Sequence, residues 1–150
     1  MPSENVITPR VTVISHLIKP EDLQHHGTLF AGQMVKWLVE ACFVAAARLV
    51  GKPEDVVCVQ VHGMNFTKPA HNGDIIEIRA KVALTGNTSI TVAGEAYLNE
   101  DEASSVSGMA TFVTVDQQGV PYKHGVSLSD DYIAQNRASH DEALRLRGIK

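Results

Sequence analysis

From Phe30 to Val50 the chain runs without a proline through alanines and large apolar residues, and only Gln33, Lys36, Glu40 and Arg48 interrupt it with long polar side chains. The run predicts one long helix, closed by Gly51 as a residue suited to the left-handed position past a helix end, with Pro53 barring continuation. A helix so apolar around most of its circumference cannot lie on a surface, so other elements are expected to enclose it.

Strand-like segments supply the enclosure. "VTVISHLI" (11–18) is β-branched and stops at Lys19-Pro20, because proline cannot donate to a ladder. After the helix, "VVCVQVHGMNF" (56–66) is nearly continuous apolar sequence, the pattern of a strand covered on both faces. "IIEIRAKVAL" (75–84) alternates, with Ile76, Ile78, Ala80, Val82 and Leu84 on one face and Glu77, Arg79 and Lys81 on the other. "SITVAGEAYL" (89–98) joins it through Gly86-Asn87, residues that tolerate a tight hairpin turn, and "SSVSGMATFVTV" (104–115) follows the acidic loop Asn99–Glu102. The order β-α-β-β-β-β predicts an α+β fold in which one antiparallel sheet curls around one long helix. A C-terminal helix over about 129–147 is expected to pack as structural support, with Ser129 as N-cap, Asp130 and Asp131 in its first turn, and Arg145, Arg147 and Lys150 complementing the dipole at its end.

At 150 residues the chain suits one domain, 1–150. A formal charge of −4 and no basic run leave nothing to displace counterions from a nucleic acid. The start, MPSENVITPR, has no apolar signal core, and the apolar run Ala41–Ala47 is far too short to span a bilayer, so the expected location is cytoplasmic, away from membranes. Cys42 and Cys58 lie in apolar stretches without C-x-x-C spacing and are expected to be buried, reduced thiols.

An ionised carboxylate in an apolar enclosure costs several kcal/mol unless paired or neutralised, so Glu40 calls for a reason. Gln33, Lys36 and Glu40 share one stripe and could form a solvated face, with Lys36 four residues before Glu40 as an ordinary ion pair; a catalytic carboxylate is the other reading. His25 and His26 precede Gly27 at the approach to the helix, whose free N–H groups favour developing negative charge. The seven histidines show no zinc spacing, so no metal is expected. A nucleophile elbow, a phosphate loop and a dinucleotide fingerprint are absent. The remaining constellation is a carboxylate facing a helix N-terminus.

The stretches "PEDLQHHGTLFAGQMVKWLVEA" and "VHGMNFTKPAHNGDIIEIRAKVALTGNTSITVAGEAY" resemble the acyl-CoA thioesterases of the hotdog fold, in the acyl-CoA hydrolase branch, over about residues 11 to 122. The resemblance implies a central helix wrapped by an antiparallel sheet, active sites between two subunits, a homodimer that assembles further, and hydrolysis of an acyl-CoA substrate to free acid and CoA. No cofactor is implied, since coenzyme A enters with the substrate. Counted from Gly27, the family's helix acid falls at Val39, with Glu40 one residue later, about 100° round the helix; the loop asparagine is Gln24 here. The implied roles are Glu40 as general base or nucleophile with its pKa raised by desolvation, Gln24 and His26 positioning water or substrate, and the Gly32 N–H stabilising the oxyanion. Contacts to the CoA moiety are implied at Lys68 and at the turn Gly86, Asn87, Thr88 and Ser89. Two alternatives stand beside hydrolysis: a hotdog acyl-thioester hydratase or dehydratase, and a non-catalytic acyl-CoA-binding sensor.

Overall fold

A computed structural model describes residues 5–149; Met1 to Glu4 and Lys150, with its expected place at the end of the last helix, lie outside the described residues. The element order is β1 (Asn5–Ile7), β2 (Thr12–Leu17), α1 (Ala31–Val50), β3 (Val56–Phe66), β4 (Ile75–Thr85), β5 (Ser89–Leu98), β6 (Val106–Thr114), β7 (Val126–Leu128), α2 (Asp130–Gln135) and α3 (Arg137–Leu146). Five strands form one antiparallel sheet in the order β2-β4-β5-β6-β3, while β1 and β7 make a separate parallel pair.

Helix α1 lies on one face of that sheet. Met34, Leu38, Ala41, Cys42, Ala45 and Leu49 recur at helical spacing and are buried, against Ile76, Ile78, Val82, Ile90, Val92 and Phe112 from the strands. Each large side chain so enclosed contributes about 1.5–3 kcal/mol relative to exposure. The helix passes close over Gly94, where a Cβ would stand 3.0 Å from Cys42 Sγ and 3.0 Å from Leu38 Cδ1. The absence of a side chain there lets the helix settle onto β5. At its C-terminus Gly51 takes φ +80 and returns its N–H to the Ala47 carbonyl at 2.8 Å.

Three expectations change. Strand β3 is the sheet's edge, with Val57, Cys58, Val59, Gln60 and Val61 exposed, so its apolar continuity does not reflect cover from the same chain on both faces and Cys58 is not buried. Strand β4 carries a bulge between Val82 and Leu84, which carries Leu84 across to the outer face, where it packs with Ala83, Ala93, Met109 and Ala143. The C-terminal helix is two helices: Asn136, at φ −121 and ψ 35, breaks it and donates its side-chain amide to the Tyr132 carbonyl at 2.9 Å. The Ser129 cap is present, accepting from Tyr132 N at 3.2 Å, and α3 rests on the outer face of β4 and β5.

Helix α1 is also less enclosed than its composition predicts. Gly32, Lys36, Glu40, Val44 and Arg48, spaced four apart, form a stripe left open by the rest of the chain. Among the described residues no helix is long and apolar enough to cross a membrane.

Candidate active site

The approach to α1 is a tight hairpin. Gln24 N donates to Thr28 O at 2.8 Å, Gly27 N donates to Gln24 O at 2.9 Å, and Gly27 takes φ +85, a conformation that suits glycine. His25 and His26 stand at the tip of this turn, both exposed, with ring centroids 4.0 Å apart. The Gln24 amide stays within its own turn, donating to Thr28 Oγ1 at 2.8 Å. Among the described residues no hydrogen bond joins Gln24 or His26 to α1.

Asp22 ties this hairpin to the helix. Its carboxylate accepts the Lys19 N–H and the Gln33 side-chain amide, each at 2.9 Å, and its carbonyl accepts the Phe30 N–H at 2.9 Å. The Lys19 backbone bond, followed by that of Gln33, holds the Asp22 carboxyl below its ordinary range against the opposing effect of burial.

Phe30 occupies the cap position but offers no side-chain acceptor. Gln33 N and Met34 N reach back to Phe30 O at 3.0 and 3.2 Å, whereas among the described residues no hydrogen bond takes the N–H of Ala31 or Gly32. These two amides stand at the positive end of the helix dipole, where free N–H groups favour negative charge. Phe30 folds over them: a Cβ on Gly32 would lie 2.4 Å from Phe30 Cε2. Beside them opens a cleft of about 340 Å³ between the start of α1 and the end of β3.

Glu40 lies eight residues along the helix from Gly32, about 12 Å at 1.5 Å per residue. The two cannot grip one carbonyl within a single chain. Glu40 is exposed and leans toward β2, where the half-buried His16 ring lies parallel to Trp37 at 4.2 Å and 5°. Burial holds the His16 pKa below its usual value, and the nearby Glu40 charge opposes that shift. Val39 leans the opposite way, on the side of Phe43, whose ring meets Phe112 of β6 edge to face at 6.0 Å.

The residues expected around the CoA moiety fall at opposite ends of the sheet. Lys68 follows β3 at the rim of the cleft and pairs with Asp101 at 2.6 Å. Both side chains are well exposed, so exchanging that partner for a phosphate costs little. Gly86 to Ser89 form the β4–β5 turn, seven residue steps or about 23 Å away along the β5–β6 ladder. The turn is braced from within, Gly86 N to Ser89 O at 2.9 Å, and from outside, Thr114 N to Thr88 O at 2.9 Å and His124 N to Asn87 O at 3.2 Å. Arg147 adds a cation, donating to Ser89 Oγ at 3.0 Å. Nothing in the sequence signalled that contact, because it links residues far apart whose meeting depends on how α3 docks. Among the described residues no group of three His, Cys, Asp or Glu side chains is placed to hold a metal.

Relatives place the chain. A family model describing the thioesterase superfamily matches residues 26–105, which include α1, Lys68 and the 86–89 turn. A Buchnera aphidicola protein named "Uncharacterized acyl-CoA thioester hydrolase" is 27% identical over 128 residues, covering 81% of this chain and 93% of the relative. An acyl-CoA hydrolase from Staphylococcus aureus, solved with butyryl coenzyme A and coenzyme A, is 25% identical at a TM-score of 0.77, with 92% of this chain and 82% of that one covered. A hexameric thioesterase from Yersinia pestis is 26% identical at a TM-score of 0.70, over 79% of this chain and 97% of that one. The architecture is the hotdog fold, and the chain belongs to the thioesterase superfamily.

Proposed function

We propose that the protein is an acyl-CoA thioesterase, hydrolysing an acyl-CoA to free acid and CoA. The observation that carries this reading is the pair of uncapped amides, Ala31 and Gly32, opening beside an apolar cleft on a helix that also bears a carboxylate, in a chain of this superfamily. A thioester needs one base and one oxyanion site. The Gly32 N–H takes the carbonyl oxygen as it gains charge, and Glu40 either accepts the proton of an attacking water or attacks the carbonyl carbon itself. Gln24 and His26 position water or substrate from the neighbouring turn.

The 12 Å between Gly32 and Glu40 supports a division of these roles between two subunits. Among the described residues strand β3 has an unpaired edge with Val57, Val59 and Val61 exposed, a side that a second copy covers. A two-fold pairing along it runs the two α1 helices antiparallel on one sheet face, so that Glu40 of one copy moves toward the helix start of the other. The same operation puts Lys68 of one copy at the end of the assembly that carries the Gly86, Asn87, Thr88 and Ser89 turn of the other, where both meet one CoA. Cover by the second copy also supplies the desolvation that Glu40 lacks in a single chain. Such dimers assemble further, and the protein works in the cytoplasm.

The test is thiol release from acetyl-, octanoyl- and palmitoyl-CoA by the wild-type protein and by Glu40→Gln. Loss of a general base lowers kcat by about 10²–10⁴-fold. Turnover that survives Glu40→Gln unchanged removes Glu40 from the mechanism, and an enoyl product in place of free acid replaces hydrolysis by hydration chemistry.

A further inference from the structure

The cleft beside the uncapped amides is apolar along its depth. Met34, Val106 and Ala70, at 1%, 5% and 6% exposure, make its floor, Leu29 and Ala31 one wall, and Phe66 stands half-exposed at its mouth. Met34 is two residues from Gly32 on α1 and Val106 is the first residue of β6, so two of the three floor residues belong to regular elements.

We propose that this cleft receives the acyl chain of the thioester, and that Met34 and Val106 set its length limit, making the substrates acyl-CoAs of about six to ten carbons. The proposal rests on the thioesterase reading and adds the acyl class to it. The carbonyl sits at the Ala31 and Gly32 end, where the amides are, and the hydrocarbon runs inward over Met34. At roughly 30 Å³ per methylene, about the share of a water molecule in the liquid, 340 Å³ holds about eleven carbons. A cleft open on one side accommodates fewer in full contact.

Burying one more methylene improves binding in the transition state by about fourfold. The wild-type kcat/KM is therefore expected to rise about fourfold per carbon from acetyl- to octanoyl-CoA and to level off or fall by palmitoyl-CoA. Met34→Ala lengthens the cleft and moves the optimum to longer chains. Because Met34 is also part of the core, Ala31→Leu provides the opposite test from the exposed first residue of α1: its side chain fills the mouth and lowers the octanoyl-to-acetyl ratio of kcat/KM at least tenfold, with thermal melting confirming the fold. A rise followed by the two opposed shifts supports the cleft. Turnover with a length-independent profile, an optimum at palmitoyl-CoA, or an octanoyl-to-acetyl ratio unchanged in folded Ala31→Leu overturns it while leaving the thioesterase reading intact. Absence of turnover with every chain length overturns both.

Discussion

Replacing Gly32 by alanine separates the chemistry of the helix start from its stability. The added Cβ would meet Phe30 Cε2 at 2.4 Å, Cζ at 2.9 Å and Cδ2 at 3.2 Å, where carbon atoms ordinarily keep about 3.5–4.0 Å. The ring must retreat by about 1 Å or more, and it can, because Phe30 is 56% exposed and the clashing atoms are the far end of its side chain. Alanine is the better helix former by up to about 1 kcal/mol. The two effects offset each other, and Tm should move by no more than a few degrees. The methyl group and the displaced ring, however, crowd the very amides assigned to the oxyanion, and losing one such donor raises the barrier by about 3–4 kcal/mol, some hundreds-fold in kcat. Steady-state thiol release for Gly32→Ala, Phe30→Ala and the double variant forms a cycle. Part of the loss should return in the double variant, with a coupling of about 1 kcal/mol or more. A Gly32→Ala protein with wild-type Tm and kcat within threefold of wild type refutes the assignment of these amides.

Other perturbations address the packing and the buried groups. Gly94→Ala drives a methyl group to 3.0 Å from Cys42 Sγ and Leu38 Cδ1, so α1 must lift from β5; urea melts should show a loss of about 1–3 kcal/mol. His62, buried on the outer face and joined to Thr111 Oγ1 at 2.7 Å, is held below its ordinary pKa by burial and then by Arg147. It stays neutral in the fold while the unfolded chain takes up a proton near pH 6.5, so its contribution is complete above about pH 6.5 and shrinks as pH falls toward the folded value. Melts of His62→Gln from pH 8 to 5 should show a shallower acid limb than wild type, with some slope left from His16, whose shift has the same sign. The Cys42 thiol, pushed up to about 12 by burial, should resist alkylation at pH 8 until denaturant is added, whereas labelling of Cys42 in the native protein would contradict its enclosure.

Strong periodicity and strong punctuation made the main elements legible from sequence. Helix α1 is framed by an unbroken helix-forming run and a glycine stop, and strands β4 and β5 by alternation about a Gly-Asn turn, and these lie within a residue or so of their expected bounds. The three-residue strands β1 and β7 carry no readable period, and their pairing joins segments from opposite ends of the chain. Strand β3 misled because apolar continuity does not by itself mean that the same chain covers both faces of a strand. For the site, the side chains were identifiable but their mutual distances were not. Nothing in the spacing of Lys68 and Gly86 shows that they lie at opposite ends of a sheet, and Glu40 could be placed on the outer stripe only once the neighbours of Trp37 and Phe43 were known.

The chain contains one tryptophan, and the fold sets it flat against an imidazole at the seam between β2 and α1. An imidazolium so placed quenches indole emission more strongly than the neutral ring, so the intrinsic fluorescence of the protein reads the protonation of His16 directly. Glu40 favours that protonation, and whatever neutralises or shields its carboxylate in solution brightens the signal at mildly acidic pH. A change at the carboxylate is therefore expected to alter the emission of the unlabelled protein through His16.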